Sequence, residues 1–186
     1  MQGSGEKPGI IPRTAKKLFE EMLPKQKNKC VVWVSYLEIY NEKILDLLDP
    51  RNTDLPIRED SNRNIFVPGL TRQQVDNLHQ FHEVLNKGLA QRTTGPTLLN
   101  PTSSRSHAIL LFHVEQTIIS SSGTRKLQGK LHLIDLAGSE NNKRTGNSGI
   151  RLTESSNINS SLFTLAKAKE QFLFERLFLL ILFSRW

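Results

Sequence analysis

The residues best suited to chemistry lie at 131–140, where Leu131, His132, Leu133 and Ile134 lead into Asp135 and Gly138 follows three residues on. Four apolar-rich positions are too few for a helix and read as a buried strand that delivers Asp135 at its C-terminal end. Open α/β sheets bind their ligands at that end. An aspartate so placed can hold a water on Mg²⁺, and the glycine can bring a backbone N–H against a terminal phosphate with no Cβ in the way. Asp135 and Gly138 are therefore candidates for sensing a nucleotide γ-phosphate. D-x-x-G alone is a short motif that many core strands contain.

A second polar stretch, residues 100–107, carries Asn100, the hydroxyls of Ser103, Ser104 and Ser106, and the guanidinium of Arg105 before His107. It runs directly into residues 108–114, an apolar run that reads as another buried strand. A phosphate cradle would need glycines that let backbone N–H groups wrap the phosphates, a Lys for their charge and a hydroxyl for Mg²⁺. The sequence contains no G-x-x-x-x-G-K-[ST]. Residues 123–130 imitate it, with one residue too many between Gly123 and Gly129 and Leu131 where a hydroxyl is required. They read as a hairpin-like connection before the strand.

The elements that position these loops follow from periodicity. Ala15, Leu18, Phe19 and Met22 share one face of a helix over 14–22, ended by Pro24. Residues 30–40 alternate β-branched and aromatic side chains as a strand does. Ile44, Leu45, Leu47 and Leu48 predict a short helix over 41–48. Glu38 and Glu42 read as a solvated strand edge and helix start rather than as paired catalytic carboxylates, because nothing nearby in the sequence raises either pKa. Residues 55–60 and 65–70 predict two short strands around a polar turn. Asp76 is the expected N-cap of a helix running to about Gly88, with Leu78, Phe81, Val84 and Leu85 inward.

With 186 residues the chain is long enough for one domain with a real core. Its net charge of +7 favours an acidic partner, either nucleic acid or an acidic protein surface. The basic residues are scattered and no nucleic-acid recognition motif occurs, which places DNA last. The single Cys30 beside Val31 and Val32 reads as a small buried hydrophobe of a reducing compartment. The absence of a charged-then-apolar opening predicts cytosol or nucleus. The apolar run 171–186 is too short, and too interrupted by Glu175 and Arg176, to span a bilayer.

Together, N-x-x-S-S-R-S-H at 100–107 and D-L-A-G-S-E at 135–140 resemble the switch I and switch II elements of the kinesin motor domain. The strings SYLEIYNEKILDLLDP, IREDSNRNIFVPGL and GKLHLIDLAGSENNKRTGNSGIRL are most similar to Kid-type chromokinesins. The resemblance implies an α/β fold: part of a kinesin-like P-loop NTPase with a central mixed β-sheet flanked by helices, without the phosphate-loop part and the C-terminal helices. It assigns residues 1–165 to a partial motor domain. Residues 166–186 depart from it as a divergent apolar tail, expected to be an alternative or out-of-frame end or else an amphipathic helix on the core.

The resemblance also implies roles. Ser104 would ligate Mg²⁺ directly and Asp135 through water; Ser103 and Ser106 would bond phosphate or the attacking water; Asn100 and Gly138 would contact the nucleotide. Arg105 would pair with Glu140, a bidentate clamp that closes the loops around a γ-phosphate. Arg63, Lys143, Arg144 and Arg151 would face acidic tubulin. ATP and Mg²⁺ are the implied cofactors and the microtubule the implied partner, with chromatin bound only through regions outside this sequence and no membrane contact. The implied location is cytoplasm and cytoskeleton, spindle included, with the nucleus as a further site. The implied activity is ATP-dependent movement along microtubules. Since the sequence holds no phosphate loop, the alternative is a non-catalytic microtubule-binding or interfering fragment, inactive as an ATPase by itself.

Overall fold

The structure is a computed structural model that describes residues 1–3, 6–26, 28–61, 63–93, 106–121, 123–137 and 181–182. The helix expected over 14–22 begins earlier, as α1 (Ile10–Lys16), and continues through a π-type stretch (Lys17–Met22) into a 3-10 turn (Leu23–Lys25) that holds Pro24. Strand β1 (Lys29–Tyr40) forms as its alternation predicts.

The next element departs from expectation. Residues 43–46 form strand β2 (Lys43–Asp46), antiparallel to β1, where the apolar spacing predicts a helix. Asn41 and Glu42 both take positive φ (48° and 64°), which folds the chain back through a two-residue turn whose twist suits a hairpin. Asp46 is buried and accepts N–H bonds from Leu48 (2.8 Å), Asp49 (3.2 Å) and Thr71 (2.7 Å). A helix over 41–48 would draw the Leu48 and Asp49 N–H groups into its own ladder, and a buried carboxylate without them would be costly.

The expected pair of short strands is present as β3 (Arg58–Glu59) and β4 (Ile65–Phe66), antiparallel to each other. Strand β5 (Gln73–Val75) joins β1. Helix α2 (Leu78–Thr93) is capped by Asn77 rather than Asp76: the Asn77 Oδ1 accepts from the Gln80 N–H at 2.9 Å, and the Gln80 side chain accepts from the Asp76 N–H at 2.8 Å. The helix also runs past Gly88, which serves packing instead of termination. A Cβ there would lie 2.3 Å from Tyr36 Cδ1, so glycine lets α2 settle onto the sheet.

Strands β6 (His107–Ser120) and β7 (Gly123–Asp135) pair antiparallel from Ala108↔Asp135 out to Ser120↔Gly123. The stretch 123–130 is thus the second arm of this ribbon and not its connection. Strand β8 (Ile181–Leu182) pairs parallel with Ile134 and Asp135. The sheet order is β2-β1-β6-β7-β8 with β5 also on β1, the mixed sheet of an α/β fold.

One sheet face carries Val32, Val34, Tyr36, Leu110, Phe112 and Leu133. Residues Ile11 and Ala15 from α1 and Phe19 from the π-type stretch after it, with Phe81 and Leu85 from α2, cover that face. Phe81 stacks on Phe112 with centroids 5.2 Å apart, fastening α2 to the middle of β6.

Candidate functional site

Register brings three positions to one level. Ala108 at the start of β6 lies opposite Glu38 of β1 on one side and Asp135 of β7 on the other. Because side chains alternate along a strand, all three point to the helix-covered face. The small Ala108 leaves room between the two carboxylates, and Arg92 from the last turn of α2 fills it. Its Nη1 donates to Asp135 Oδ2 at 3.0 Å and its Nε lies 3.5 Å from Glu38 Oε1. The Arg92 and Glu38 side chains are 9% and 5% exposed, whereas that of Asp135 is 23% exposed. Burial works against the charge on Arg92, but the Asp135 hydrogen bond and the surrounding negative groups outweigh it and hold its pKa above the ordinary value. Burial pushes the Tyr36 hydroxyl up despite the adjacent guanidinium.

The ends of both loops meet here. Ser106 is fully buried and its hydroxyl donates to Glu38, so Ser106, Glu38, Arg92 and Asp135 form a continuous chain of polar contacts. The next residue, His107, accepts the Ala137 N–H at its Nδ1 at 3.1 Å. Two ties therefore join the end of the 100–107 stretch to the start of the 135–140 stretch. Arg63 is exposed at the β3–β4 turn, with positive φ and its N–H donated to the Asp60 carbonyl at 3.0 Å. Asn100, Ser103, Ser104, Arg105, Gly138, Glu140, Lys143, Arg144 and Arg151 lie outside the described residues.

Glu38 corrects its expected role as a solvated edge: it is buried and paired. Sequence reasoning also passed over Arg92 and Tyr36. The signals were present, since Glu38 continues the inward series Val32, Val34, Tyr36, and Arg92 continues the inward helical series Phe81, Leu85, Gly88.

His107 is held below the ordinary histidine pKa, chiefly by burial, with Arg92 adding to the effect and Glu42 opposing it. Burial lowers His113 and His132 as well. An unfolded histidine takes its proton below about pH 6.5 while these folded rings stay neutral. Their stabilising effect is therefore present above that pH and is lost as pH falls from there towards the depressed folded values. The urea midpoint is expected to drop between pH 7.5 and 5.5, and His107→Gln to flatten part of the slope, by at most about 1.4 kcal/mol per pH unit. A midpoint that rises on acidification contradicts this.

The model of the kinesin motor-domain family matches residues 1–172. The chain belongs to the kinesin motor-domain family. Among kinesin relatives, the kinesin-like protein KIF22 of Danio rerio is 52% identical over 174 residues, 90% of this chain and 27% of that protein. KIF22 of Xenopus tropicalis is 49% identical over 90% of the chain, which bears out the Kid-type resemblance. The kinesin heavy chain of Syncephalastrum racemosum is 40% identical over 84% of the chain. A solved structure titled "Structure of a fast kinesin: Implications for ATPase mechanism and interactions with microtubules" superposes with a TM-score of 0.74 at 38% identity, covering 86% of this chain and 45% of that one. The chain spans about a quarter of the length of its KIF22 relatives. Kinesin motor domains as a family bind ATP with Mg²⁺ and associate with microtubules and the cytoskeleton.

Proposed function

We propose that this chain is the γ-phosphate-sensing part of an ATP-dependent microtubule motor domain. The observation that supports it is the buried chain Ser106–Glu38–Arg92–Asp135, which couples the ends of the two switch-like loops. A phosphate arriving at one loop shifts a partner of a shared guanidinium and so is felt at the other. The donor set fits Mg²⁺: Arg92 engages only Oδ2 of Asp135, and a partly exposed carboxylate suits a hard cation that keeps its waters. In this reading Ser104 and Asp135 hold the cation, Ser103, Asn100 and Gly138 contact the nucleotide, Arg105 closes onto Glu140, and Ser106, buried with its hydroxyl on Glu38, anchors the end of its loop instead of contacting the phosphate itself. The cation supplies charge stabilisation at the transferring phosphoryl group; the residues supply positioning. Spindle and nuclear locations follow from the same reading.

The test is binding of a fluorescent ATP analogue with Mg²⁺ to the purified chain, competed by plain ATP. Saturable, competed binding is expected. No binding by a sample shown to be folded would overturn the nucleotide role and leave a non-catalytic microtubule-binding chain. Lys143, Arg144, Arg151 and Arg63 are the proposed tubulin contacts. Reversing Lys143 and Arg144 to Glu is expected to weaken co-sedimentation with microtubules about tenfold or more, increasingly so at low salt; unchanged sedimentation discards that assignment.

A further inference from the structure

The sheet face turned away from α1 and α2 carries a row of side chains across four strands: Gln74 of β5, Trp33 of β1, His113 of β6 and Lys130 of β7 stand side by side. Trp33 alternates with Val32 and Val34 of the helix-covered core, which places the row on the opposite face. The Arg72 guanidinium, just before β5, lies 5.0 Å from the centre of the Trp33 ring, and the Trp33 and His113 rings meet edge to face at 5.7 Å. We propose that Arg72, His113 and Lys130 bind the phosphate monoester of a partner protein's phosphoserine or phosphothreonine. The Glu38–Arg92–Asp135 cluster lies on the other face, so the site does not rest on the nucleotide reading.

The charge balance selects an anion. Arg72 and Lys130 are exposed, and among the described residues neither has a carboxylate within ion-pair distance. The carboxylates of the neighbouring row are engaged elsewhere: Asp76 accepts from the Gln74 side chain at 2.9 Å, and Glu115 from Lys126 at 3.1 Å and Gln128 at 3.2 Å. Stacking on Trp33 also holds the Arg72 fork in place with its N–H donors available, so less ordering remains when an oxyanion arrives. The rings narrow the choice further. Arg72 covers Trp33 and His113 stands at 89° to it, so the row offers no parallel faces for stacked bases, which sets single-stranded nucleic acid aside. A carboxylate brings one charge, whereas a phosphate monoester brings nearly two and three acceptor oxygens, enough to engage both cations. Because both cations are open to solvent, the site suits a phosphate mounted on a larger body, whose flanking side chains rest on the half-buried Val31 and Trp33. His113 adds a pH response. Burial, Arg72 and Lys130 hold its pKa below the ordinary value, with Glu115 opposing them. A dianion between the cations offsets them and favours the protonated ring, so binding tightens as pH falls towards 6.5 while the phosphate is still largely dianionic.

The test titrates the full, isotope-labelled chain at constant ionic strength with the peptide acetyl-Ala-Leu-phosphoserine-Leu-Ala-amide, following the His113 ring and Trp33 indole signals by NMR. Its unphosphorylated and glutamate counterparts and inorganic phosphate are the comparisons. The phosphopeptide is expected to shift both signals saturably, the glutamate peptide and inorganic phosphate to bind at least about fivefold more weakly, and the unphosphorylated peptide to shift neither. Arg72→Gln and Lys130→Gln, both at exposed positions, are each expected to weaken phosphopeptide binding about fivefold or more. Affinity should be about threefold tighter at pH 6.5 than at pH 8, and His113→Gln should remove that difference while keeping the affinity at pH 8. No saturable shift with the phosphopeptide, equal binding of any comparison probe, unchanged binding in both glutamine variants, or a pH difference that survives His113→Gln overturns the proposal.

Discussion

Arg92→Met is expected to cost about 3–5 kcal/mol of folding stability in urea titration at pH 7, the loss typical of removing one partner from a buried ion pair. The reason is what stays behind. Among the described residues, Glu38 would keep only the Ser106 hydroxyl near its carboxylate while 5% exposed, and Asp135 would face it across Ala108 with no described cation between them. The loss comes from stranded charge more than from the missing contact, so it should be reversible from the other side. Arg92→Met combined with Glu38→Met should recover more than half of it, because a matched apolar pair strands only the partly exposed Asp135. A single-variant loss below about 1 kcal/mol would mean that the cluster behaves like a solvated surface pair. A double variant no better than the single would place the cost in lost packing of the Arg92 stem instead.

The same cluster marks where the sequence stops being readable by local pattern. Strand β1, the 108–114 part of β6 and the 131–134 end of β7 were legible because alternation and short apolar runs are properties of neighbouring residues, whereas the polar outer arm 123–130 of β7 carries no such pattern and is a strand only through its pairing with β6; the two loop motifs were legible as a family resemblance. The clustering of Glu38 and Arg92 with Asp135 depends on register across three strands and on where a helix ends, neither of which a local window contains. Strand β2 failed for a related reason. Ile44, Leu45, Leu47 and Leu48 carry helical spacing, but Asp46 collects an N–H from Thr71, 25 residues away, and the turn rests on positive φ at Asn41 and Glu42, neither a glycine. Gly88 misled in the opposite direction: glycine late in an apolar helical pattern signals a C-terminus, and here it instead gives Tyr36 room under the helix.

Phe112→Ala is expected to cost about 3–5 kcal/mol, at the upper end for a core truncation. Phe112 is 1% exposed and sits mid-strand, opposite Val34 on β1 and Leu131 on β7. Its ring stacks on Phe81 of α2, which lies 6.3 Å from Phe19 in the helical segment after α1. Phe112 therefore ties the sheet to α2, and through Phe81 to the segment that holds Phe19, so its removal opens a void at the centre of the helix–sheet layer. Ile119 is the control: at 77% exposure on the outer ribbon, Ile119→Ala should stay within about 0.5 kcal/mol. The contrast bears on the site because Phe81 and Arg92 belong to the same helix, so whatever loosens the first from the sheet moves the second relative to Glu38 and Asp135. Phe112→Ala should consequently lower the coupling energy measured between Arg92 and Glu38, while Ile119→Ala leaves it unchanged. Equal effects of the two substitutions would show that the helix–sheet layer does not hold the guanidinium in place.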